Sequence, residues 1–204
     1  LWGCLGWRGW SAVVIYLLLG SLVTRIGLAQ KKLEGLAEGR EGRRGPENLW
    51  GSAGTGAVIA ILIKTRLVPQ SLFLIGFAAS FIAKLADTFG SEIGKSWGRR
   101  FFLITNFKRV PAGTEGAISV EGTLASAIGS LFMTLAMWKL SFLGYSQIGL
   151  LVSVGLFATL FESFIGAIFQ ERVGWLTNEI VNFLQTTFAA FLSIYLVWYL
   201  DLIS

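Results

Sequence analysis

The chain contains no histidine and a single cysteine, Cys4, in 204 residues. Without histidine there is no Ser-His-Asp triad, no Cys-His pair, and no histidine-ligated zinc or haem. A lone cysteine excludes an intrachain disulfide and a thiolate metal cluster. Charge is also scarce: 14% of residues are Asp, Glu, Lys or Arg, where a soluble domain carries about 25%. Catalysis by such a chain is left to carboxylates, amines and guanidinium groups, hydroxyls, amides and a hard cation.

Apolar residues are abundant. They make up 54% of the chain, mean hydropathy is +0.67, and they recur in runs near the roughly 20 residues that cross about 30 Å of hydrocarbon. Six spans are predicted, at about 5–24, 49–64, 70–86, 119–138, 147–169 and 179–200. The fold class is therefore an all-α polytopic transmembrane bundle, one integral membrane domain over residues 1–204. The sequence enters its first apolar run from Leu1, and that run is too long and too aromatic for a cleaved signal. A longer parent chain, extended at the N-terminus, is expected.

The basic residues set the orientation. Loop 25–48 carries Arg25, Lys31, Lys32, Arg40, Arg43 and Arg44, loop 87–118 carries Lys95, Arg99, Arg100, Lys108 and Arg109, and Arg172 follows the fifth span. The opposite connections hold only Arg8, Lys64, Arg66 and Lys139. By the positive-inside rule both large loops are cytoplasmic or the organellar equivalent. Net charge is +5, but no aromatic-basic stacking pattern accompanies it, so the partner is anionic lipid rather than nucleic acid. Loop 25–48 reads as a short surface helix, with Leu28, Leu33 and Leu36 on the bilayer and the charges in water. Arg43 and Arg44 are candidates to reach a substrate phosphate.

The acids are placed with the same bias. Asp87, Glu92, Glu115, Glu121, Glu162 and Glu179 all fall at the cytoplasmic ends of spans three to six. An ionised acid at the centre of a spanning helix costs about 2.5–3.5 kcal/mol, less toward the interface. Adjacent carboxylates also repel, and a shared Mg²⁺ with substrate phosphate is the ordinary way to offset both terms. Asp87, Glu92 and Glu162 are the candidate metal ligands. Helical spacing puts Lys84, Asp87, Ser91 and Lys95 on one face, with Thr88 and Glu92 on the adjoining stripe. Glu162, Gly166 and Gln170 align likewise, as do Asn178 and Asn182 in TNEIVN. LADTFGSEIGK can also be laid over LFESFIGAIFQ, pairing Asp87 with Glu162 and Thr88 with Ser163, a weak internal match.

Between spans three and four, KRVPAGTEGAISVEGTLA places Gly113, Thr114, Glu115, Gly116, Glu121, Gly122 and Thr123 just before an apolar helix. Glycine lets backbone amides close on an anion, and a helix N-terminus favours negative charge. These residues are candidates for phosphate binding, with Arg109 close in sequence. GSEIGKS, 90–96, is one residue short of a phosphate loop and continues a membrane helix instead of linking a strand to a helix.

The blocks VTRIGLAQKKLEGLAEGREGRRGPEN, ADTFGSEIGK, KRVPAGTEGAISVEGTLA, ESFIGAIFQ and NEIVNF resemble, in the same order and from about residue 20 onward, the phytyl-phosphate kinases of tocopherol synthesis and related membrane proteins. The resemblance implies CTP-dependent phosphorylation of phytyl phosphate to phytyl diphosphate in a cyanobacterial, other bacterial or plastid membrane. It sets Asp87, Ser91, Glu92 and Lys95 in an acid-lysine block, and Gly113 to Gly116 with Glu121, Gly122 and Thr123 in a Gly-Thr-Glu-Gly block. Glu162, Gly166 and Gln170 fall in the fifth-span block, and Asn178 and Asn182 in the sixth. Glu179 stands where the family often has Asn or Asp, as a metal ligand or a helix cap. The expected catalytic set is Asp87, Glu92, Lys95 and Glu162. A lipid-phosphate carrier or scramblase is the non-enzymatic alternative. CDP-alcohol phosphotransfer is disfavoured because its spaced aspartates are missing.

Overall fold

The computed structural model describes residues 1–37, 46–170 and 173–202. Arg40, Arg43, Arg44 and Arg172, and with them the expectation that Arg43 and Arg44 reach phosphate, lie outside the described residues. Seven α-helices are described: α1 Trp2–Arg25, α2 Leu28–Leu33, α3 Pro46–Lys64, α4 Gln70–Trp97, α5 Val120–Lys139, α6 Ile148–Ile165 and α7 Asn178–Tyr199. Among the described residues five helical segments are long and apolar enough to cross a membrane: α1, α4, α5, the stretch Tyr145–Gln170 containing α6, and α7. The second predicted span appears as α3, whose apolar part, Ala53–Lys64, is shorter. The all-α membrane bundle is as expected. Exposed Leu124, Ile128, Leu131, Phe132 and Leu135 on α5, and Phe157 and Phe164 on α6, form the outward apolar surface that lipid covers.

Helix α4 is the axle of the bundle. Phe77, Phe81, Ile82, Leu85 and their neighbours are completely buried, and rings from three elements converge on them. Phe77 lies 5.1 Å from Phe81 and 5.0 Å from Phe142, and Tyr16 of α1 lies 6.0 Å from Phe81. Small residues set how closely the neighbours approach. A Cβ at Gly122 of α5 would stand 2.9 Å from the Gly90 carbonyl oxygen of α4, and one at Gly129 would meet Phe89 at 2.8 Å. Across the bundle the Thr55 hydroxyl of α3 is 2.8 Å from the hydroxyls of Thr186 and Thr187 of α7. Such a pairing satisfies polar groups that lipid cannot.

Two boundaries differ from those read in the sequence. The third span ends at Trp97, not residue 86, because nothing in ADTFGSEIGKSW breaks a helix until Gly98. At 28 residues the helix is about 42 Å long, more than the roughly 30 Å of hydrocarbon. Counting about 1.5 Å per residue from Gln70, Asp87 sits about 26 Å along α4 and Glu92 about 33 Å. What remains of loop 87–118 is also not irregular. Strands β1 Phe101–Leu103, β2 Arg109–Val110 and β3 Ala117–Ile118 form a small antiparallel sheet in the order β2-β1-β3, with Phe101 opposite Val110 and Phe102 opposite Ile118. Strands of two or three residues leave no period to read.

Candidate active site

At the inner end of the bundle a cleft of about 330 Å³ opens between α4, α5, α6, α7 and the loop after β2. Helix α4 supplies its back wall: Lys84, Asp87, Ser91 and Lys95, the face expected from their spacing, all line it. The Lys84 ammonium donates to Asp87 Oδ2 at 2.5 Å and to Asn182 Oδ1 of α7 at 2.7 Å. Lys84 is therefore the hub joining two of the candidate blocks, a role its sequence spacing did not distinguish. Both members of the pair are buried, but they border the cavity. Asn178, one turn before Asn182, lines the cleft as well.

The Gly-Thr-Glu-Gly loop forms the floor. Gly113, Thr114, Glu115 and Gly116 all line the cleft, as do Gly122 and Thr123 at the start of α5. Gly113 and Gly116 take left-handed φ values of +84° and +74°, which glycine adopts without penalty. The Thr114 hydroxyl donates to the Pro111 carbonyl at 2.9 Å, and the Ala117 amide to the Thr114 carbonyl at 3.0 Å. The sheet anchors the far side of the loop, where the Ile104 amide donates to the Gly116 carbonyl at 3.2 Å. Ser119 then caps α5, its Oγ accepting from the Gly122 amide at 3.0 Å.

On α6 the helix changes pitch where this loop meets it. Gly166–Gln170 is a single π-helical turn, a distortion common at functional sites. A Cβ at Gly116 would lie 2.4 Å from Ala167 Cβ and 2.5 Å from the Ser163 carbonyl oxygen, so the loop is seated directly on the end of α6. A Cβ at Gly166 would stand 3.4 Å from the Gly116 amide nitrogen and 3.3 Å from Gln170 Oε1. Gln170 Oε1 is buried with no hydrogen-bond partner among the described residues. Glu162 lines the cleft one turn earlier, within electrostatic reach of Asp87, Lys84 and Glu115.

Three acids of the expected group thus share the cleft, Asp87, Glu115 and Glu162, and three do not. Glu92 is turned away from it. Its Oε2 is ion-paired with the Lys31 ammonium of α2, and both side chains are 1% exposed. Lys31 also donates to the Thr24 carbonyl at 2.9 Å. This corrects two expectations: Glu92 is not beside Asp87, and Lys31 is not one of the solvated loop charges. The physical reason is that α2 folds back onto α4, where the Ser96 hydroxyl donates to the Ile26 carbonyl at 3.0 Å. Glu121 and Glu179 lie in the first turns of α5 and α7, where a carboxylate complements the helix dipole, and neither lines the cleft. Arg109 is exposed on β2, also outside it. Among the described residues no three acids lie close enough to hold a cation by themselves.

A bundle of apolar helices whose lysines, acids and amides converge on one cleft at one membrane face defines a polytopic membrane protein with a polar site at the bilayer surface. The chain belongs to the DUF92 integral membrane protein family, whose model matches residues 1–190. It is 45% identical to an uncharacterized membrane protein of Synechocystis sp. over 95% of this chain and 76% of that one. It is 38% identical to Protein VTE6, chloroplastic, of Arabidopsis thaliana over 95% of this chain and 60% of the plant protein. A membrane protein of Methanocaldococcus jannaschii is 33% identical over 89% and 73% of the two chains. No solved structure matches. The protein is an integral membrane protein with cyanobacterial and chloroplast relatives, in keeping with a bacterial or plastid membrane.

Proposed function

We propose that the protein is a prenyl-phosphate kinase: it transfers the terminal phosphoryl group of CTP to phytyl phosphate, giving phytyl diphosphate and CDP. The observation that carries this reading is the convergence of Lys84, Lys95, Asp87 and Glu162 with the Gly113–Gly116 loop in one cleft at the membrane face. The choice of CTP and phytyl phosphate follows the resemblance of the sequence blocks to phytyl-phosphate kinases.

Phosphoryl transfer asks little covalent chemistry of a protein; it asks for position and for cations where negative charge spreads. Lys95, half-buried at the cleft wall, faces the phosphates as a point charge. Lys84, fixed by Asp87 and Asn182, holds its ammonium at the base of the cleft. The Gly113–Gly116 loop brings backbone close to the nucleotide phosphates. The acceptor phosphate is already ionised near neutral pH, so no general base is needed, and a chain without histidine can do this chemistry. The donor set suits Mg²⁺ held jointly with substrate: two carboxylates, Asp87 and Glu162, fit a cation that takes one or two carboxylates plus phosphate oxygens. When bound, Mg²⁺ neutralises the phosphate charges. The proton and electron accounting closes without any further reactant, since one P–O bond forms as another breaks.

The test is turnover by the purified protein with phytyl phosphate, Mg²⁺ and labelled CTP, run in parallel with ATP and UTP. Diphosphate should form, and Asp87→Asn should lower the rate by about 100-fold or more at unchanged fold. Full turnover by folded Asp87→Asn removes Asp87 from the mechanism. Absence of product, with lipid phosphate moved between leaflets of vesicles instead, would establish a carrier.

A further inference from the structure

The cleft does not end at its polar groups. Beyond Glu162 it continues along α6 past Leu160, Thr159 and Leu156, which follow helical spacing and form one face opposite Thr123 and Ser126 of α5. The threonine hydroxyls here are spent on their own helices: Thr159 Oγ1 donates to the Gly155 carbonyl at 3.1 Å and Thr123 Oγ1 to the Ser119 carbonyl at 2.9 Å. What these threonines can offer a neighbour is therefore largely their methyl groups. One turn further out the two helices close on each other. Ser130 Oγ donates to the Val152 carbonyl at 2.9 Å, and a Cβ at Gly155 would stand 2.3 Å from Ser130 Oγ. The slot between α5 and α6 is thus continuous with the polar cleft at one end and shut at the other.

We propose that this slot holds the first segment of the hydrocarbon chain of a lipid monophosphate, and that the protein encloses roughly one five-carbon unit of it. The proposal rests on the kinase reading for the headgroup but makes a separate claim about the tail. From Leu160 to Leu156 is four residues, about 6 Å of helix. A zigzag chain of bonds about 1.5 Å long advances about 1.25 Å per bond, so about five carbon-carbon bonds fill that length. The rest of the chain must leave beside exposed Leu124 of α5 and Phe157 of α6, among the lipid. The occupant is a single-chain lipid phosphate because its headgroup end is a cleft with two lysines and the slot beyond, closed at Ser130 and Gly155, has length for only a short apolar segment. Selectivity then lies in the headgroup and the first unit, and chain length beyond it is tolerated.

Photolabelling separates this from the kinase reading. A prenyl monophosphate with a diazirine on its first unit is bound to the protein in detergent, and the labelled residues are mapped by mass spectrometry. Label is expected on Leu156, Thr159, Leu160 or Ser126, competed by unlabelled prenyl monophosphate and not by prenol, and reduced about tenfold in Leu160→Trp. A diazirine at the chain end should label the outward faces of α5 and α6. In turnover assays, ten-, fifteen- and twenty-carbon monophosphates should differ by less than about tenfold in kcat/KM. Leu160→Trp should raise KM for all of them and leave KM for the nucleotide unchanged, with Phe191→Trp, exposed on α7 and outside the cleft, as the lipid-facing control. Proximal label elsewhere, label unaffected by Leu160→Trp, or chain-length discrimination above tenfold overturns the slot. Correct labelling without phosphoryl transfer leaves the slot standing and removes the kinase.

Discussion

The Lys31–Glu92 pair gives the sharpest test of how this site is divided. The pair is fully buried, and the second carboxylate oxygen, Glu92 Oε1, is buried with no partner among the described residues. Lys31→Met therefore strands a carboxylate whose other oxygen is already unsatisfied. Breaking a buried ion pair from one side costs about 3–5 kcal/mol, whereas replacing both members with apolar residues of similar volume is often neutral. For a chain of this size that predicts a fall in Tm of about 6–20 °C for Lys31→Met or Glu92→Met. The double variant Lys31→Met/Glu92→Met should return to within about 1–2 kcal/mol of wild type, a non-additivity of several kcal/mol. The assay is a double-mutant cycle on thermal unfolding in one detergent at fixed pH, with turnover measured on the same preparations. The double variant should recover most of the turnover, because Glu92 acts through α2 and not on phosphate. Additive losses in Tm would show that the pair does not exist. A stable double variant with no turnover would show that Glu92 reaches the substrate after all.

The chemically similar pair Lys84–Asp87 should behave differently. Lys84→Met leaves Asp87 unpaired and should lower both stability and turnover, while Lys84→Met/Asp87→Met should regain thermal stability and remain inactive. Recovery of activity by that double variant would remove both residues from the chemistry. Gly116→Ala puts a Cβ into the backbone of α6 at a left-handed φ, costing about 1–2 kcal/mol for the conformation and about 1–3 kcal/mol for the overlap. Turnover should fall further than stability as the loop lifts off α6. Gly149→Ala, with nothing within 4 Å of the added carbon, is the silent control, and equal behaviour of the two variants would refute the seating of the loop.

The helical face of α4 was legible because it is a local property. Lys84, Asp87, Ser91 and Lys95 are steps of three and four apart, and a continuous helix brings them to one side whatever packs against it. Asn178 and Asn182 were readable for the same reason. The glycine loop was legible from composition, although its seat on α6 was not, since the π-helical turn beginning at Gly166 meets a segment fifty residues away. Lys31 lay beyond reach. It reads as one more topology charge beside Lys32, and only the return of α2 to α4, a contact spanning 61 residues, takes it out of water. Counting loop charges gave the wrong environment for this residue. The second predicted span was legible as a helix, which runs over Pro46–Lys64.

Grouping the acids by membrane depth overlooked direction. Asp87 and Glu92 are five residues apart on one helix, which at 100° per residue separates them by about 140° around its axis. A shared depth therefore places them on different neighbours: Asp87 on α7 and the cleft, Glu92 on α2. Each is met by a lysine, so α4 carries two buried ion pairs little more than a turn apart. The first borders a cavity, and its charges are available to whatever enters; the second is sealed, and among the described residues its partners are each other and the Thr24 carbonyl. The sealed pair also acts on the site at one remove. A Cβ at Gly113 would meet Leu36 Cδ2, just after α2, at 2.6 Å, so the segment pinned by Lys31 lies against the loop that floors the cleft. Glu92 thus holds a surface helix against the loop that floors the cleft, and Asp87 holds an ammonium where, on the kinase reading, phosphate would arrive.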